Sequence, residues 1–288
     1  MILTRHSPCK VNLLLNILGK RPDGFHALET VIQPIAVFDV LTFQRGDRLD
    51  LACSDPNLPV DSRNLVHRAA TEFFKAAEIP AGVRIHLEKR IPVAAGLGGG
   101  SGNAAVTLLS LNELFGNPLQ PSQMHGLAAS IGSDVPFFLQ SKPALAVGRG
   151  EQIESVDPFP ALAGKSMLLV HPGFGVSTAW AYQHLAEFTD ALNGKPGRAQ
   201  KLIQLLGQAD LRPAAAEFYN ALEFPVLRKY PLLAIIREFL EREGAIAARM
   251  SGSGSTLFGI IESEQQARVI EQRVRDRFAS CWTAVVPV

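Results

Sequence analysis

Apolar and polar residues alternate near the start of the chain with the period of two that is typical of a β-strand. The residues from Lys10 to Leu18 follow this pattern, which places Lys10 and Asn12 on the same face. The following Arg21-Pro22-Asp23-Gly24 predicts a turn, because proline fixes one backbone dihedral and glycine accepts a positive one. A hairpin or a long β connection is expected to follow, through Thr30 to Phe43.

Helical spacing appears in the segments that follow. Apolar residues from Leu65 to Phe74 predict an amphipathic helix, with Asp61-Ser62 as its cap. Another helix is expected over 104–115, and a third should begin near Pro121 and end close to Gly132. The remaining predictions are strands at 83–87, 167–171, 245–250, 256–261 and 282–286, and helices at 198–206, 232–243 and 264–278.

Strands and helices are mixed in both halves of the chain, which predicts an α+β protein. A length of 288 residues is sufficient for two domains with separate cores. The segment from Gly150 to Lys165 is rich in proline and glycine and is the expected crossing between them. We therefore predict domains at 1–155 and 156–288.

Composition narrows the class of protein. Hydrophobic residues make up 47% of the chain and charged residues 19%, as in globular proteins. The 28 basic and 27 acidic residues nearly cancel, so the chain has no excess positive charge with which to neutralise a nucleic-acid backbone. Three widely separated cysteines suit a reducing cytoplasm, and neither a signal peptide nor a membrane-spanning run is evident. We expect a cytoplasmic protein that binds neither nucleic acid nor membrane.

The strongest chemical signal is the glycine-rich segment from Pro92 to Ala105, which lies between a predicted strand and a predicted helix. Glycines let phosphate oxygens approach backbone N–H groups, and a helix N-terminus adds partial positive charge. No Gly-Lys-Ser or Gly-Lys-Thr follows, so the segment is not a Walker A loop, and a dinucleotide pattern fits only loosely. The segment predicts a phosphate site, with a tight turn that binds nothing as the alternative.

Two charged residues complete a candidate kinase site. Asp134 follows the helix-ending Gly132 and precedes an apolar pair, so it would be partly shielded, although a plain helix cap is an equal reading. Lys10, taken alone, would be a solvated strand residue. Together they match a site in which an aspartate takes a hydroxyl proton beside a lysine. The small-residue turn Ser251-Gly252-Ser253-Gly254-Ser255 suits close backbone approach by a ligand or by the first domain, with a plain hairpin as the equal alternative.

Five segments together resemble the GHMP family of small-molecule kinases and follow the family order along nearly the whole chain: Pro8–Leu13, Arg21–His26, Pro92–Ala105, Gly132–Pro136 and Met250–Gly254. The resemblance implies an α+β fold with a ribosomal-protein-S5-domain-2-like N-terminal domain and a ferredoxin-like C-terminal α/β sandwich. It places the active site in the cleft between them. The nearest similarity is to members that use ATP, with Mg²⁺, to phosphorylate the 2-hydroxyl of a cytidine diphosphate-linked methylerythritol in the non-mevalonate isoprenoid pathway.

The resemblance also implies residue roles. Asp134 would be the catalytic base and Lys10 its partner, while no residue is assigned to the metal. The substrate would be bound by a polar and aromatic set in which two rings sandwich the cytosine: Asn12, Phe25, His26, Thr178 and Tyr182. The ATP site would comprise the glycine segment and three residues of the adenine pocket: Pro92, Val93, Ala94, Ala95, Gly96, Leu97, Gly98, Gly99, Gly100, Ser101, Gly102, Asn64, Leu65 and Lys89.

Three positions depart from the family pattern: Cys9 stands for alanine, Phe25 for tyrosine and Gly102 for serine. Phe25 keeps a stacking face. Gly102 has no hydroxyl, so the resemblance does not assign which hydroxyl assists Mg²⁺.

A GHMP kinase for another alcohol is disfavoured by the Pro-Asp-Gly-Phe-His stretch. A regulatory nucleotide-binding module is disfavoured by the presence of both Lys10 and Asp134. A dinucleotide-dependent oxidoreductase is disfavoured because this chain lacks the acidic residue that such enzymes carry at the end of a second strand.

Overall fold

The computed structural model describes residues 2–288. Within them the strands are β1 (Ile2–Lys20), β2 (His26–Arg45), β3 (Asp50–Cys53), β4 (Val83–Glu88), β5 (Ala144–Gly148), β6 (Gln152–Ser155), β7 (Ser166–His171), β8 (Tyr219–Asn220), β9 (Ala247–Met250), β10 (Leu257–Ile261) and β11 (Trp282–Pro287). The α-helices are α1 (Leu65–Ala76), α2 (Gly99–Leu114), α3 (Pro121–Ile131), α4 (Thr178–His184), α5 (Thr189–Leu192), α6 (Arg198–Leu206), α7 (Leu211–Ala215), α8 (Glu223–Lys229), α9 (Pro231–Arg242) and α10 (Glu264–Arg277). Among the described residues, no helix combines the length and the apolarity needed to cross a membrane.

Most predicted elements are confirmed. The predicted strand at 10–18 lies inside β1, and the predicted turn is present, with Gly24 at φ +84° and its N–H donated to the Arg21 carbonyl. The helix α3 begins at Pro121 and is followed by Gly132, as expected. The predicted helix at 198–206 has the bounds of α6.

Two local predictions were wrong. Asn64, not the Asp61-Ser62 pair, caps α1, because its side chain accepts the Val66 N–H. Asp61 instead accepts hydrogen bonds from the backbone and side chain of Arg63. The helix after the glycine segment begins at Gly99, five residues before the predicted start at Ala104, so part of the glycine segment is helical.

The residues form two compact units that are not contiguous in sequence. The first comprises residues up to Cys9, Val37–Ile91 and Gly98–Ser141, and the second comprises Lys10–Ala36, Pro92–Leu97 and Lys142–Val288. The long strands β1 and β2 contribute residues to both. The boundary at 155/156 stays a prediction.

In the first unit, β4 pairs with the second half of β2 in antiparallel register, Val40 opposite Glu88, and β3 pairs with β4 in parallel. The helices α1, α2 and α3 contact one another. The alternating burial of β4 shows that only one face of this strand meets the core. Aromatic rings of Phe73, Phe74 and Phe115 pack together where α1 meets the end of α2.

In the second unit, β5 pairs with the first half of β2, and β6 pairs with β5, both antiparallel. A separate antiparallel sheet has the strand order β11-β7-β10-β9. The helix α9 precedes β9, and α10 lies between β10 and β11, so the chain order is the β-α-β-β-α-β of a ferredoxin-like fold. The strand β7 is buried along its whole length, which places it at the centre of this core.

A buried carboxylate braces the second unit. Glu223, at the start of α8, accepts the Met250 N–H at 2.7 Å and forms an ion pair with Arg237 at 2.9 Å. Burial raises the pKa of the Glu223 carboxyl above its ordinary value of 4.5, against the lowering effect of these partners. A cavity of about 320 Å³ is lined by Phe218, Tyr219, Asn220, Glu223, Phe224, Arg237, Glu241 and Arg249.

This shift predicts a pH dependence of stability. Because the folded-state pKa of Glu223 is raised, the unfolded chain loses its proton first as the pH rises above 4.5. The free energy of unfolding should therefore contain a contribution that is present below pH 4.5 and is lost as the pH rises through the folded-state pKa. Denaturant unfolding of Glu223→Gln at several pH values should lack this contribution, and Glu154→Gln provides an exposed control. Parallel pH profiles for wild type and Glu223→Gln would contradict it.

Candidate active site

The start of α2 in the first unit is built to accept an anion. Its N-cap is Gly98, in a left-handed conformation with φ +68°, and no side chain caps this helix end. The first intrahelical bond runs from the Gly102 N–H to the Gly98 carbonyl at 2.9 Å. The N–H groups of Gly99, Gly100 and Ser101 therefore precede the helical ladder, where the helix dipole favours negative charge. This end of α2 has the donors and the field that a phosphate requires.

Two of the three predicted adenine-pocket residues lie at or beside helix starts of the first unit. The Asn64 side chain caps α1 and also donates to the Pro59 carbonyl at 2.8 Å. The Leu65 side chain lies 3.6 Å from the point where a Cβ on Gly100 would stand, so the starts of α1 and α2 are adjacent. Lys89 is the third, and its side chain is buried in an ion pair with Asp39 at 2.7 Å.

Position 102 faces strand β1 rather than an open site. A Cβ on Gly102 would stand 2.6 Å from the carbonyl oxygen of Pro8 and 3.0 Å from the Ser7 hydroxyl. The glycine therefore allows close contact between α2 and β1. The family usually has a serine at this position, and in this chain its hydroxyl would point into that contact. Ser101 therefore supplies the hydroxyl at the start of α2.

Asp134 lies in the turn between α3 and the short 3₁₀ helix Pro136–Leu139. The turn is held by the Val135 N–H, which donates to the Gly132 carbonyl at 3.1 Å. Val135 and the following Phe137 and Phe138 are buried, whereas Asp134 is half-buried. The apolar neighbours fix the backbone and leave the carboxylate at the edge of the core, as the sequence predicts.

Lys10 and Asn12 meet on one face of β1, which confirms the period-two prediction. The Lys10 ammonium donates to the Asn12 amide oxygen at 2.5 Å, and the Asn12 amide nitrogen donates to the Thr30 hydroxyl at 2.8 Å. Both side chains are more than nine-tenths buried. These bonds fix the orientation of the Asn12 amide, because its oxygen faces a donor and its nitrogen faces an acceptor.

The small-residue turn of the second unit packs against the glycine segment. β9 and β10 form an antiparallel pair, so Ser251–Thr256 is a hairpin, and it is also a place of close backbone approach. The Ser251 hydroxyl donates to the Gly96 carbonyl at 2.9 Å, and the Thr256 N–H donates to the Ala95 carbonyl at 3.1 Å. A Cβ on Gly252 would stand 3.3 Å from the Lys10 nitrogen. The turn is therefore a hairpin, and Ala95 and Gly96 of the same unit approach it closely. The approach of a ligand to this turn stays a prediction.

Asn220 holds this turn from the other side, and no sequence pattern singled it out. Its amide nitrogen donates to the carbonyls of Met250 and Gly252, each at 2.7 Å. Its oxygen accepts the Leu222 N–H at 2.9 Å. The only sequence signal is an asparagine in a short segment otherwise rich in aromatic and apolar residues, which is a weak one.

Three of the five predicted substrate residues take part in two contacts in the second unit. The rings of His26 and Tyr182 lie 5.1 Å apart, and the hydroxyls of Thr178 and Ser253 lie 2.8 Å apart. Burial, with a smaller contribution from Lys20, lowers the pKa of His26 below 6.5, which favours a neutral imidazole that both donates and accepts.

Phe25, another predicted substrate residue, is exposed, with 52% of its surface accessible. The Arg149 guanidinium lies over its ring at 4.8 Å. The sandwich of Phe25 and Tyr182 stays a prediction. The described residues contain no group of three or more His, Cys, Asp or Glu side chains that could hold a metal ion by themselves.

Comparison with known proteins shows what this chain is similar to. The model of the GHMP kinases N terminal domain matches residues 64–142, and that of the GHMP kinases C terminal matches residues 197–280. The 4-diphosphocytidyl-2-C-methyl-D-erythritol kinase of Pelotomaculum thermopropionicum is 42% identical over 277 residues, covering 96% of this chain and 94% of that protein. The corresponding kinase of Syntrophotalea carbinolica is 36% identical and covers 98% of each.

Solved structures give the same result. A crystal structure of 4-(cytidine 5'-diphospho)-2C-methyl-D-erythritol kinase superposes with a TM-score of 0.82 and 32% identity, covering 99% of this chain and 100% of that one. The Leishmania (L. major) mevalonate kinase is only 13% identical, with a TM-score of 0.74 over 99% of this chain and 95% of that one, and it shows the fold alone. By sequence and by fold, the chain belongs to the GHMP kinase family.

Proposed function

We propose that this chain transfers the γ-phosphate of ATP to the 2-hydroxyl of 4-diphosphocytidyl-2-C-methyl-D-erythritol. The observation that carries the substrate is the 42% identity to a kinase of that name over 96% of the chain. The uncapped start of α2 supports the ATP half of the reaction. The neutral charge balance fits a small substrate, and the free cysteines among the described residues suit a cytoplasmic enzyme.

In the proposed mechanism the chain supplies position and charge rather than a covalent intermediate. Asp134 takes the proton of the 2-hydroxyl while the oxygen of that hydroxyl forms a bond to the γ-phosphorus. The bond between the γ-phosphorus and the bridging oxygen of ADP breaks. The Lys10 ammonium, held by Asn12, offsets the negative charge that develops on the transferring group. The segment Pro92–Gly102, with Asn64, Leu65 and Lys89, is the proposed ATP site.

Mg²⁺ fits this site as a partner of ATP. Mg²⁺ is commonly held by substrate phosphates, waters and only one or two protein carboxylates, so it needs no cluster of three or more acidic residues. When bound, it would neutralise charge on the β- and γ-phosphates. Ser101, in the first turn of α2, offers a hydroxyl for it, whereas Gly102 offers none and is packed on Pro8.

One assay tests the substrate. ADP release should be measured with ATP and a panel of alcohols: the cytidylated methylerythritol, uncytidylated methylerythritol phosphate, mevalonate and homoserine. We expect the first to give a kcat/KM at least ~10³-fold above the others, because losing every contact to the cytosine and diphosphate removes several kcal/mol of binding. Comparable rates with mevalonate or homoserine would overturn the substrate assignment and leave the family intact.

Removing an aromatic ring should weaken binding of the cytidylated substrate. Tyr182→Ala and Phe25→Ala should each raise its KM by about 5- to 150-fold, because stacking on a base is worth ~1–3 kcal/mol. The KM for ATP should be unchanged in both. Tyr182→Phe, which keeps the ring, is the matched control and should stay close to wild type. An unaltered substrate KM in both alanine variants would contradict the proposed sandwich.

A further inference from the structure

Asp39 is a fully buried carboxylate in the first unit, with none of its side chain exposed. One of its oxygens accepts the backbone N–H groups of Arg90 at 2.7 Å and Ile91 at 2.8 Å. The other accepts the Lys89 ammonium at 2.7 Å and the Asn103 amide nitrogen at 3.0 Å. Four donors therefore converge on one charge that is removed from water.

These donors come from the two ends of the glycine segment. Lys89, Arg90 and Ile91 directly precede it, and Asn103 lies in the second turn of α2, behind the first-turn N–H groups. The Lys89 ammonium also donates to the Ile91 carbonyl at 2.5 Å, and it lies 3.4 Å from the point where a Cβ on Gly99 would stand. Asp39 thus joins the residues that enter the segment to the helix that leaves it.

A purely stabilising role does not account well for this arrangement. A buried ion pair adds little to stability compared with apolar residues of the same volume, because both charges must be desolvated. The Asn103 amide oxygen is buried without a hydrogen-bond partner among the described residues, which is a further cost. Groups that cost stability are retained where they hold a site in place.

We infer that Asp39 is a positioning residue for the phosphate-binding start of α2. It acts through Lys89, Ile91 and Asn103, which hold the N–H groups of Gly99–Ser101 at a fixed place relative to the end of β4. This inference rests on the proposed function, since it concerns the ATP half of that site. It adds a residue that neither the glycine pattern nor the family resemblance singled out.

The variant Asp39→Asn tests it. Its amide oxygen still accepts from Arg90 and Ile91, but its amide nitrogen now faces two donors, Lys89 and Asn103. The Kd for ADP, measured by calorimetry without the alcohol, should rise roughly 10- to 100-fold, as expected when a group that orients binding atoms is lost. The KM for the alcohol should change by less than about threefold.

A charge swap provides the rescue. In the double variant Asp39→Asn, Asn103→Asp the amide of residue 39 can donate to the new carboxylate, which also offers Lys89 a partner. ADP affinity should return to within about threefold of wild type. Asn103→Ala, which removes one donor and the unpartnered oxygen together, should weaken ADP binding by a smaller factor of about 3 to 10. It also keeps the test open if Asp39→Asn does not fold.

A control separates position from stability. Glu271 is another buried carboxylate, paired with Arg268 and Arg275 in the second unit, and it has no proposed role in the site. Glu271→Gln should lower the melting temperature while leaving the Kd for ADP unchanged. If Asp39→Asn and Asn103→Ala also melt earlier and bind ADP as wild type does, the inference is wrong. If the wild type binds no nucleotide, the proposed function fails and the inference fails with it.

Discussion

Asp134→Asn should lower kcat by ~10²–10⁴-fold, the range that a positioned general base contributes. Asparagine has nearly the same shape but cannot take the proton of the 2-hydroxyl. The turn should persist, because the Val135 N–H donates to the Gly132 carbonyl and the neighbouring Val135, Phe137 and Phe138 are buried. Steady-state ADP release at saturating substrates measures kcat, and calorimetry should give an ADP affinity close to that of the wild type.

An exposed acid provides the control for this experiment. The Asp157 side chain is 93% exposed, so Asp157→Asn makes the same chemical change outside the proposed site. Its kcat should equal that of the wild type. Turnover by Asp134→Asn within about threefold of wild type would remove Asp134 from the mechanism as base, whatever the effect on KM.

Gly96→Ala should disrupt the glycine segment. Gly96 has φ +75°, and a Cβ there would run into the backbone carbonyl oxygen of Ser251, with the Gly254 nitrogen at 3.0 Å. Backbone atoms cannot rotate away as side chains do, so the hairpin and the segment must move apart. We expect a loss of roughly 2–5 kcal/mol of stability, from left-handed strain plus overpacking. The KM for ATP should rise at least ~10-fold as the loop shifts.

Gly164→Ala separates the two contributions. Gly164 has almost the same dihedral, φ +76°, but a Cβ there would meet nothing within 4 Å. It therefore carries the left-handed strain alone, about 1–2 kcal/mol, and should leave the KM for ATP unchanged. Equal losses of stability in both variants, with normal ATP kinetics, would show that the contact between Gly96 and Ser251 is unimportant.

Elements whose signal is local could be predicted from the sequence. The helix α6 and the end of α3 follow from apolar spacing and from proline and glycine at the termini. The start of α2 could not be predicted, because glycine has a low helix propensity and the predicted helix therefore began at Ala104, the first of the better helix formers. In the structure, Gly99 and Gly102 lie in the helix, and Ile91 and the Pro8 carbonyl approach them too closely for either to carry a side chain.

The candidate site also has some features that could be predicted from the sequence and others that could not. The pairing of Lys10 with Asn12 follows from strand alternation, and the phosphate-binding helix start from the glycine pattern. The contact of His26 with Tyr182 depends on how distant segments fold, and only family resemblance assigned these two residues to one site. Asp39 gave the weakest signal, a single acid in an apolar strand whose partners lie 50 or more residues further along the chain.

The non-contiguous units restrict how this protein can be divided. The chain passes from one unit to the other after residues 9, 36, 91, 97 and 141. A protease cut at any one of these passages would leave the other four intact, so limited digestion should nick the chain without releasing a unit. Neither unit can be expressed as one uninterrupted gene fragment, because residues of the other unit interrupt each of them in sequence. A split version of this kinase would therefore need both fragments present together in order to fold.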